Sequence, residues 1–145
     1  MKKIKIIWNN LSSIGISHVE TLHDKKAIII MNRMSFVLAL FMIIITTNAL
    51  LFEDFLVIPF SVFFFFNFLV APFLLWKNRF EPAKWFFAIT PIVEVIVISL
   101  VNGAGGGDKF YLMTTGMIPI MIFRKKWIGL IFFQISIGGF LLLSW

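Results

Sequence analysis

The chain contains no cysteine among its 145 residues, so it has no disulfide, no thiolate nucleophile and no thiolate metal ligand. Charged residues are scarce, since Asp, Glu, Lys and Arg together make up 14% of the sequence. Hydrophobic residues make up 60%, which leaves too few polar side chains to cover a soluble globular domain. The composition therefore predicts one integral membrane domain.

Patterns that indicate catalysis or metal binding are missing as well. The sequence has no HExxH motif and no serine, histidine and aspartate arrangement typical of nucleophilic catalysis. His18 and His23 are five residues apart, a spacing that does not place two ligands on one helical face. We therefore predict no catalytic residue, no enzymatic activity in this chain, no metal site and no cofactor.

Long apolar runs fill most of the sequence. A transmembrane helix needs about 20 residues to cross roughly 30 Å of hydrocarbon, and most of the runs approach that length. They predict an all-α fold, a polytopic membrane helix bundle with five transmembrane helices preceded by an N-terminal amphipathic, cytoplasmic helix. The cytoplasmic part is residues 1–33, and the predicted spans are residues 34–52, 55–76, 85–101, 106–123 and 127–145.

The fourth apolar run, from Phe110 to Phe123, is short and contains Gly116 and Pro119. A re-entrant segment is therefore the alternative to a span. Extending the helix back to residue 106 supplies the missing length, and a re-entrant path would place the cations after Phe123 on the wrong side of the membrane. We predict a true span.

All but one of the cations fall on the same side of the membrane once the predicted spans are placed. Of the 13 Lys and Arg residues, all but Lys109 precede the first span or lie between spans two and three or four and five. The positive-inside rule therefore predicts a cytoplasmic N-terminus. The net charge of +6 is explained by topology and by attraction to anionic lipid headgroups, so nucleic acid is not a predicted partner.

The N-terminal residues suit a position at the membrane surface. Residues 1–16 interleave lysines with isoleucines and Trp8, which is typical of an amphipathic segment in the headgroup region; a frayed tail is the alternative. Ser17 and Glu20 have the spacing of a capping box. They predict a helix that starts near Val19 and continues into the first span.

Polar side chains within the predicted spans are candidate functional residues. Glu94 lies roughly 14 Å from Trp85 at the inner face, and an ionisable group at this depth usually pairs or lines a pathway. Glu94 is either a proton-sensitive or ligand-contacting carboxylate, or a structural group that hydrogen-bonds span three to its neighbours. Other polar residues at similar depth are Asn48, Asn67, Thr115 and Gln134.

Two prolines and one loop complete the candidates. Pro91 leaves the carbonyl of Phe87 without its helical partner and is a candidate hinge, as is Pro119. Asn102, Gly103 and Tyr111 flank the glycine-rich outer loop, where a small external ligand could dock. This loop lacks the preceding strand and cytosolic helix of a phosphate-binding loop, so a flexible turn is the simpler interpretation.

The chain resembles the N-terminal multi-span membrane region of bacterial signalling proteins of the adenylate or guanylate cyclase and sensor histidine kinase type. The resemblance is carried by Ile14-Gly15-Ile16, the helix ending Asn32-Arg33, Asn102-Gly103, Ile118-Pro119 and Arg124-Lys125-Lys126. It implies a six-span sensor or anchor whose last helix joins a cytoplasmic output domain. The chain is then expected to be truncated before that domain.

This resemblance implies a sensor or anchor and dimerisation module of a bacterial signal-transduction protein in the cytoplasmic (inner) membrane. The implied partners are the lipid bilayer, a second copy of the chain and a fused or associated cytoplasmic signalling enzyme. The alternative is a stand-alone small transporter, channel component or membrane assembly partner, which Glu94 and Pro91 keep open. Vesicle flux that depends on Glu94 favours transport, whereas dimerisation without flux favours the sensor.

Overall fold

A computed structural model describes residues 2–53, 55, 57–102 and 110–144. These residues form helices and no strand, as the sequence predicts. The helices are α1 (Lys2–Ser12), α2 (Leu22–Leu51), α3 (Val57–Trp76), α4 (Phe80–Asn102), α5 (Tyr111–Ile122) and α6 (Lys126–Ser144), and a short 3-10 turn, Ile16–His18, precedes α2. The chain divides into two compact units, Met1–Ala83 and Lys84–Trp145.

Four of the described helices have the length and apolar composition of membrane spans, namely α2, α3, α6 and the part Phe80–Leu100 of α4. α2 contains 30 residues, about 45 Å, and is longer than the hydrocarbon is thick. α5 contains 12 residues, about 18 Å, which is too short to cross. Residues 106–109, expected to lengthen it, lie outside the described residues. The predicted count of five spans is therefore not confirmed.

The start of α2 differs from the prediction. Val19 has extended backbone angles, and the 3-10 turn ends just before it, so no helix starts there. The Oγ1 atom of Thr21 instead accepts a hydrogen bond from the backbone N–H of Asp24 at 3.1 Å, which satisfies one free donor of the first turn. The predicted capping box of Ser17 and Glu20 is wrong, and Thr21 is the N-cap.

The start of α4 also differs. The expected loop of residues 77–84 is shorter, because Asn78 adopts a positive φ of 61° and α4 begins at Phe80. Pro82 lies in the first turn, where its missing N–H costs no helical hydrogen bond. Lys84 consequently lies inside the helix, 6% exposed, with its Nζ 5.7 Å from the centre of the Phe123 ring.

In the first unit, α2 and α3 pack as an antiparallel hairpin. Glu53, with φ 58°, follows the end of α2. The hydroxyl groups of Thr46 and Ser61 share a hydrogen bond of 2.8 Å across the two helices, and they are nearly equidistant from this turn. This interhelical bond joins residues that the antiparallel register places opposite each other.

In the second unit, α5 and α6 pack closely through glycine. A Cβ at Gly116 would lie 2.6 Å from the Cβ of Ser136, and one at Gly129 would lie 2.5 Å from the Cα of Ile120. Such distances require residues without side chains. The turn between the helices is closed by Lys126, whose Nζ donates to the carbonyl of Ile120 at 2.9 Å.

Candidate functional site

Glu94 is buried in α4, with 5% of its surface exposed. It lies six residues before Leu100, the end of the candidate span, or about 9 Å. Its Oε1 atom has no hydrogen-bond partner among the described residues. A buried polar atom without a partner is costly in an apolar medium. A change of packing that supplies a hydrogen bond to Glu94 would therefore be favourable.

The other predicted polar residues have partners or surroundings of their own within their helices. Thr115 donates its hydroxyl hydrogen bonds to carbonyls of its own helix, those of Tyr111 at 2.9 Å and Leu112 at 3.2 Å. Gln134 is exposed on α6, and Asn67 is half-buried on α3 in the other unit. In the described part of the second unit, no hydrogen bond joins Glu94 to Thr115 or Gln134. The role of these residues stays a prediction.

The candidate hinges and outer loop are placed as follows. Pro91 is buried within α4 and Pro119 within α5. Tyr111 is exposed at the start of α5. Asn102 is the last residue of α4, and Gly103 lies outside the described residues. Both prolines thus lie within helices, and their role as hinges and the external ligand site stay predictions.

Other buried polar atoms of the spans also have no partner. They are Nε2 of His23, Oδ1 of Asn32 and Oγ of Ser35 on α2, and Oγ of Ser99 on α4. Each of these atoms can gain a hydrogen bond if the helices pack differently or if a second molecule binds. The described residues contain no cluster of three or more histidines or carboxylates placed to bind a metal ion.

A second candidate site is the junction of α1 with the hairpin, formed by residues 12–15, which we call the elbow. The Nδ2 atom of Asn32 donates to the carbonyls of Ser12 at 3.2 Å and Ile14 at 2.9 Å. The carbonyl of Ser12 ends α1 and that of Ile14 lies just beyond it, where helical partners are lacking. Asn32, with no exposed surface, therefore caps α1 from α2.

Two further contacts hold the elbow. The Nε of Arg33 donates to Oγ of Ser12 at 3.1 Å, and this hydroxyl donates to the carbonyl of Trp8 at 2.6 Å. Gly15 has φ +84°, and a Cβ there would lie 2.9 Å from the carbonyl oxygen of Leu75 on α3. Glycine is thus required both for the left-handed backbone and for the close approach. The elbow contacts both helices of the hairpin.

A groove of about 270 Å³ lies between α2 and α3. It is lined by Ile43, Thr46, Thr47, Val62, Phe65 and Phe66. The two threonine hydroxyls donate to carbonyls of their own helix, at 2.8 Å each. The lining contains no ionisable side chain, so the two threonine hydroxyls are its only side-chain groups that could bind an ion.

Sequence reasoning identified Glu94 because a carboxylate in an apolar run is conspicuous, but it missed the role of Asn32. Asn32 adjoins Arg33 at the predicted membrane boundary, and at that position an amide reads as ordinary surface. A signal existed in the order of residues, because Gly15 follows an amphipathic stretch by a few positions and indicates a sharp change of direction. No feature of the sequence indicates that Leu75 on α3 contacts this glycine.

Comparison with family models, with curated proteins and with solved structures finds no match for this chain.

Proposed function

We propose that this chain is a membrane-embedded sensor and anchor of a bacterial signal-transduction protein, which forms dimers and passes a change of helix packing to a cytoplasmic signalling enzyme. The observation that supports it most is the set of orphaned polar atoms on α2 and α4, Glu94 foremost. In hydrocarbon these atoms favour any second packing, or second copy, that supplies hydrogen bonds. A sensor needs two packings of similar free energy.

The proposal includes the membrane and the orientation. The bundle lies in the bacterial cytoplasmic membrane with the N-terminus inside, as the cation distribution favours. The absence of cysteine allows single introduced cysteines to be labelled by an impermeant maleimide on intact spheroplasts. Glu53→Cys should react from outside, and Lys125→Cys should react after permeabilisation. The reverse pattern would overturn the orientation.

The competing candidate is a small transporter, and Glu94 discriminates the two. In vesicles that contain the full chain, we expect no flux of protons or K⁺ above that of empty vesicles. We also expect energy transfer between copies labelled at Lys125→Cys. Glu94→Gln should shift the monomer–dimer equilibrium about fivefold towards the dimer, because the amide adds a donor.

Glu20→Gln is the matched control, since Glu20 is exposed before α2 and the chemical change is the same. It should leave the dimer equilibrium unchanged. Proton or K⁺ flux that disappears with Glu94→Gln and persists with Glu20→Gln would overturn the sensor and establish transport. Dimerisation insensitive to both substitutions, without flux, would overturn Glu94 as the packing switch.

A further inference from the structure

Helix α1 presents an apolar face that is only partly covered. At about 100° per residue, Ile4, Ile7, Trp8 and Leu11 fall on one side, the spacing of an amphipathic helix. Trp8 and Leu11, next to the elbow, are half-buried. Ile4 and Ile7 are 73% and 58% exposed. The half of the face farthest from the elbow therefore lacks a covering element in the described part of the chain.

Charge surrounds this face on both sides. Lys3 and Lys5 are exposed and adjoin Ile4, so each lies roughly 100° from it around the helix. Lys2 adds a third cation, and the first acidic residue of the sequence is Glu20. A basic helix with an apolar face and a tryptophan fits an anionic bilayer surface, where the lysines reach the headgroups and the isoleucines enter the acyl boundary.

The elbow places α1 at the right depth for this contact. Asn32 lies 19 residues before Leu51, the end of α2, and Leu75 lies 18 residues after Val57, the start of α3. These separations correspond to about 29 and 27 Å. The elbow is therefore about one hydrocarbon thickness from the Glu53 turn, at the opposite membrane surface.

We infer that α1 docks on anionic phospholipid headgroups and that the elbow passes this docking to α2 and α3. Anionic lipid in the leaflet that faces α1 is then the stimulus of the proposed sensor, and this second half of the inference rests on the proposed function. The physical link consists of the Asn32 and Arg33 hydrogen bonds and the Gly15 contact with Leu75. A displaced α1 therefore moves the part of α2 around Asn32 and the end of α3.

The docking step is tested with a spin label at Ile7→Cys, the sole thiol of the full chain, in vesicles of phosphatidylcholine with or without phosphatidylglycerol. We expect the label to enter the acyl region, measured by collision with oxygen against a water-soluble nickel complex, when phosphatidylglycerol is present. High salt should reverse this entry. A label at Asn9→Cys, on the polar side, should stay accessible to the nickel complex in both lipids.

Charge variants measure the preference for anionic lipid. Each lysine near an anionic surface contributes about fivefold to the docking equilibrium, so Lys3→Gln with Lys5→Gln should weaken it roughly 25-fold. The control pair Lys26→Gln with Lys125→Gln changes two exposed cations elsewhere and should have little effect. A label that stays in water in both lipids would overturn docking. A label shielded in both lipids and released by dilution with excess lipid would assign the face to a second copy.

Transmission has its own readout, a spin label at Thr47→Cys beside the groove between α2 and α3. We expect its mobility to change with phosphatidylglycerol, and Arg33→Gln, at an exposed position, to reduce this change while α1 still docks. Docking with no change at position 47 would overturn lipid as the stimulus. Flux dependent on Glu94 with normal docking would overturn the proposed sensor and leave the lipid site standing.

Discussion

The two helical hairpins of this chain are held together by different means. In the α2–α3 hairpin, one hydroxyl pair, Thr46 and Ser61, bridges the helices at 2.8 Å, and a groove of about 270 Å³ remains beside it. In the α5–α6 hairpin, Gly116 and Gly129 bring the helices so close that no Cβ fits. Within lipid the hydrophobic effect does not drive helices together, so close packing and interhelical hydrogen bonds must do so.

The difference indicates which hairpin is the more deformable. A gap of about 0.5–1 Å already loses a quarter to a half of the attraction between touching atoms, so the close contact of α5 with α6 opposes separation of the two helices. A hydroxyl bridge contributes little, and each hydroxyl keeps a bond to its own helix when the bridge opens. The α2–α3 hairpin is thus the more deformable, and it is the one that the elbow contacts.

The strongest test of this comparison is Gly129→Ala. The new Cβ would lie 2.5 Å from the Cα and 2.7 Å from the backbone N of Ile120, atoms that cannot move without shifting α5. We expect the free energy of unfolding to fall by about 3 kcal/mol. Reversible unfolding by SDS in mixed micelles, followed by circular dichroism, measures it.

Gly138→Ala provides the matched control on the same helix. Apart from its chain neighbours and the local backbone of α6, no atom of the described residues lies within 4 Å of a Cβ at Gly138, so the added methyl group meets open space and improves helix propensity. We expect no loss of stability. If both substitutions lower the free energy of unfolding equally, glycine contact does not hold the α5–α6 hairpin, and the proposed contrast with α2–α3 fails.

A smaller effect is expected for Gly15→Ala, which tests the elbow. A left-handed φ of +84° costs a residue with a Cβ about 1–2 kcal/mol, and the Cβ would press on the carbonyl of Leu75 at 2.9 Å. We expect α1 to detach while the hairpin stays folded. A spin label at Asn10→Cys should become more mobile in the Gly15→Ala background. The helix content of the chain, measured by circular dichroism, should stay unchanged.

Ser13→Ala is the control for the elbow, because Ser13 is exposed and its hydroxyl donates locally to the carbonyl of Asn10. It should leave the label at position 10 unchanged. An equally mobile label in both variants would mean that α1 is not held through Gly15. In that case the elbow could not couple α1 to α3.

The sequence predicts the helices well because apolar runs in a membrane protein leave few other structures. The all-helical fold and the long helices at α2, α3, α4 and α6 follow from composition and length alone. The sequence does not fix where α2 begins, since Ser17 and Thr21 both have an acidic residue three positions later. The choice between them depends on the 3-10 turn, which positions Val19 in an extended conformation.

The contacts between helices were beyond prediction from this one sequence. Gly129 is decisive because Ile120 approaches it, and Lys84 is buried because α4 starts early enough to include it. Such pairings depend on register and rotation, which apolar residues on all sides of a membrane helix do not specify. Glu94 could be identified from its type and position, but only the structure shows that its Oε1 has no hydrogen-bond partner among the described residues.

The smallest effect is expected for Ser61→Ala, which removes the hydroxyl bridge to Thr46. Thr46 keeps its bond to the carbonyl of Met42 at 2.8 Å, so no orphan is left and the loss should be about 0.6 kcal/mol. Ser144→Ala, which removes a hydroxyl bonded within its own helix, measures the background in the same SDS titration. A loss as large as that of Gly129→Ala would make the α2–α3 hairpin the rigid one, because a single bond would then determine its packing.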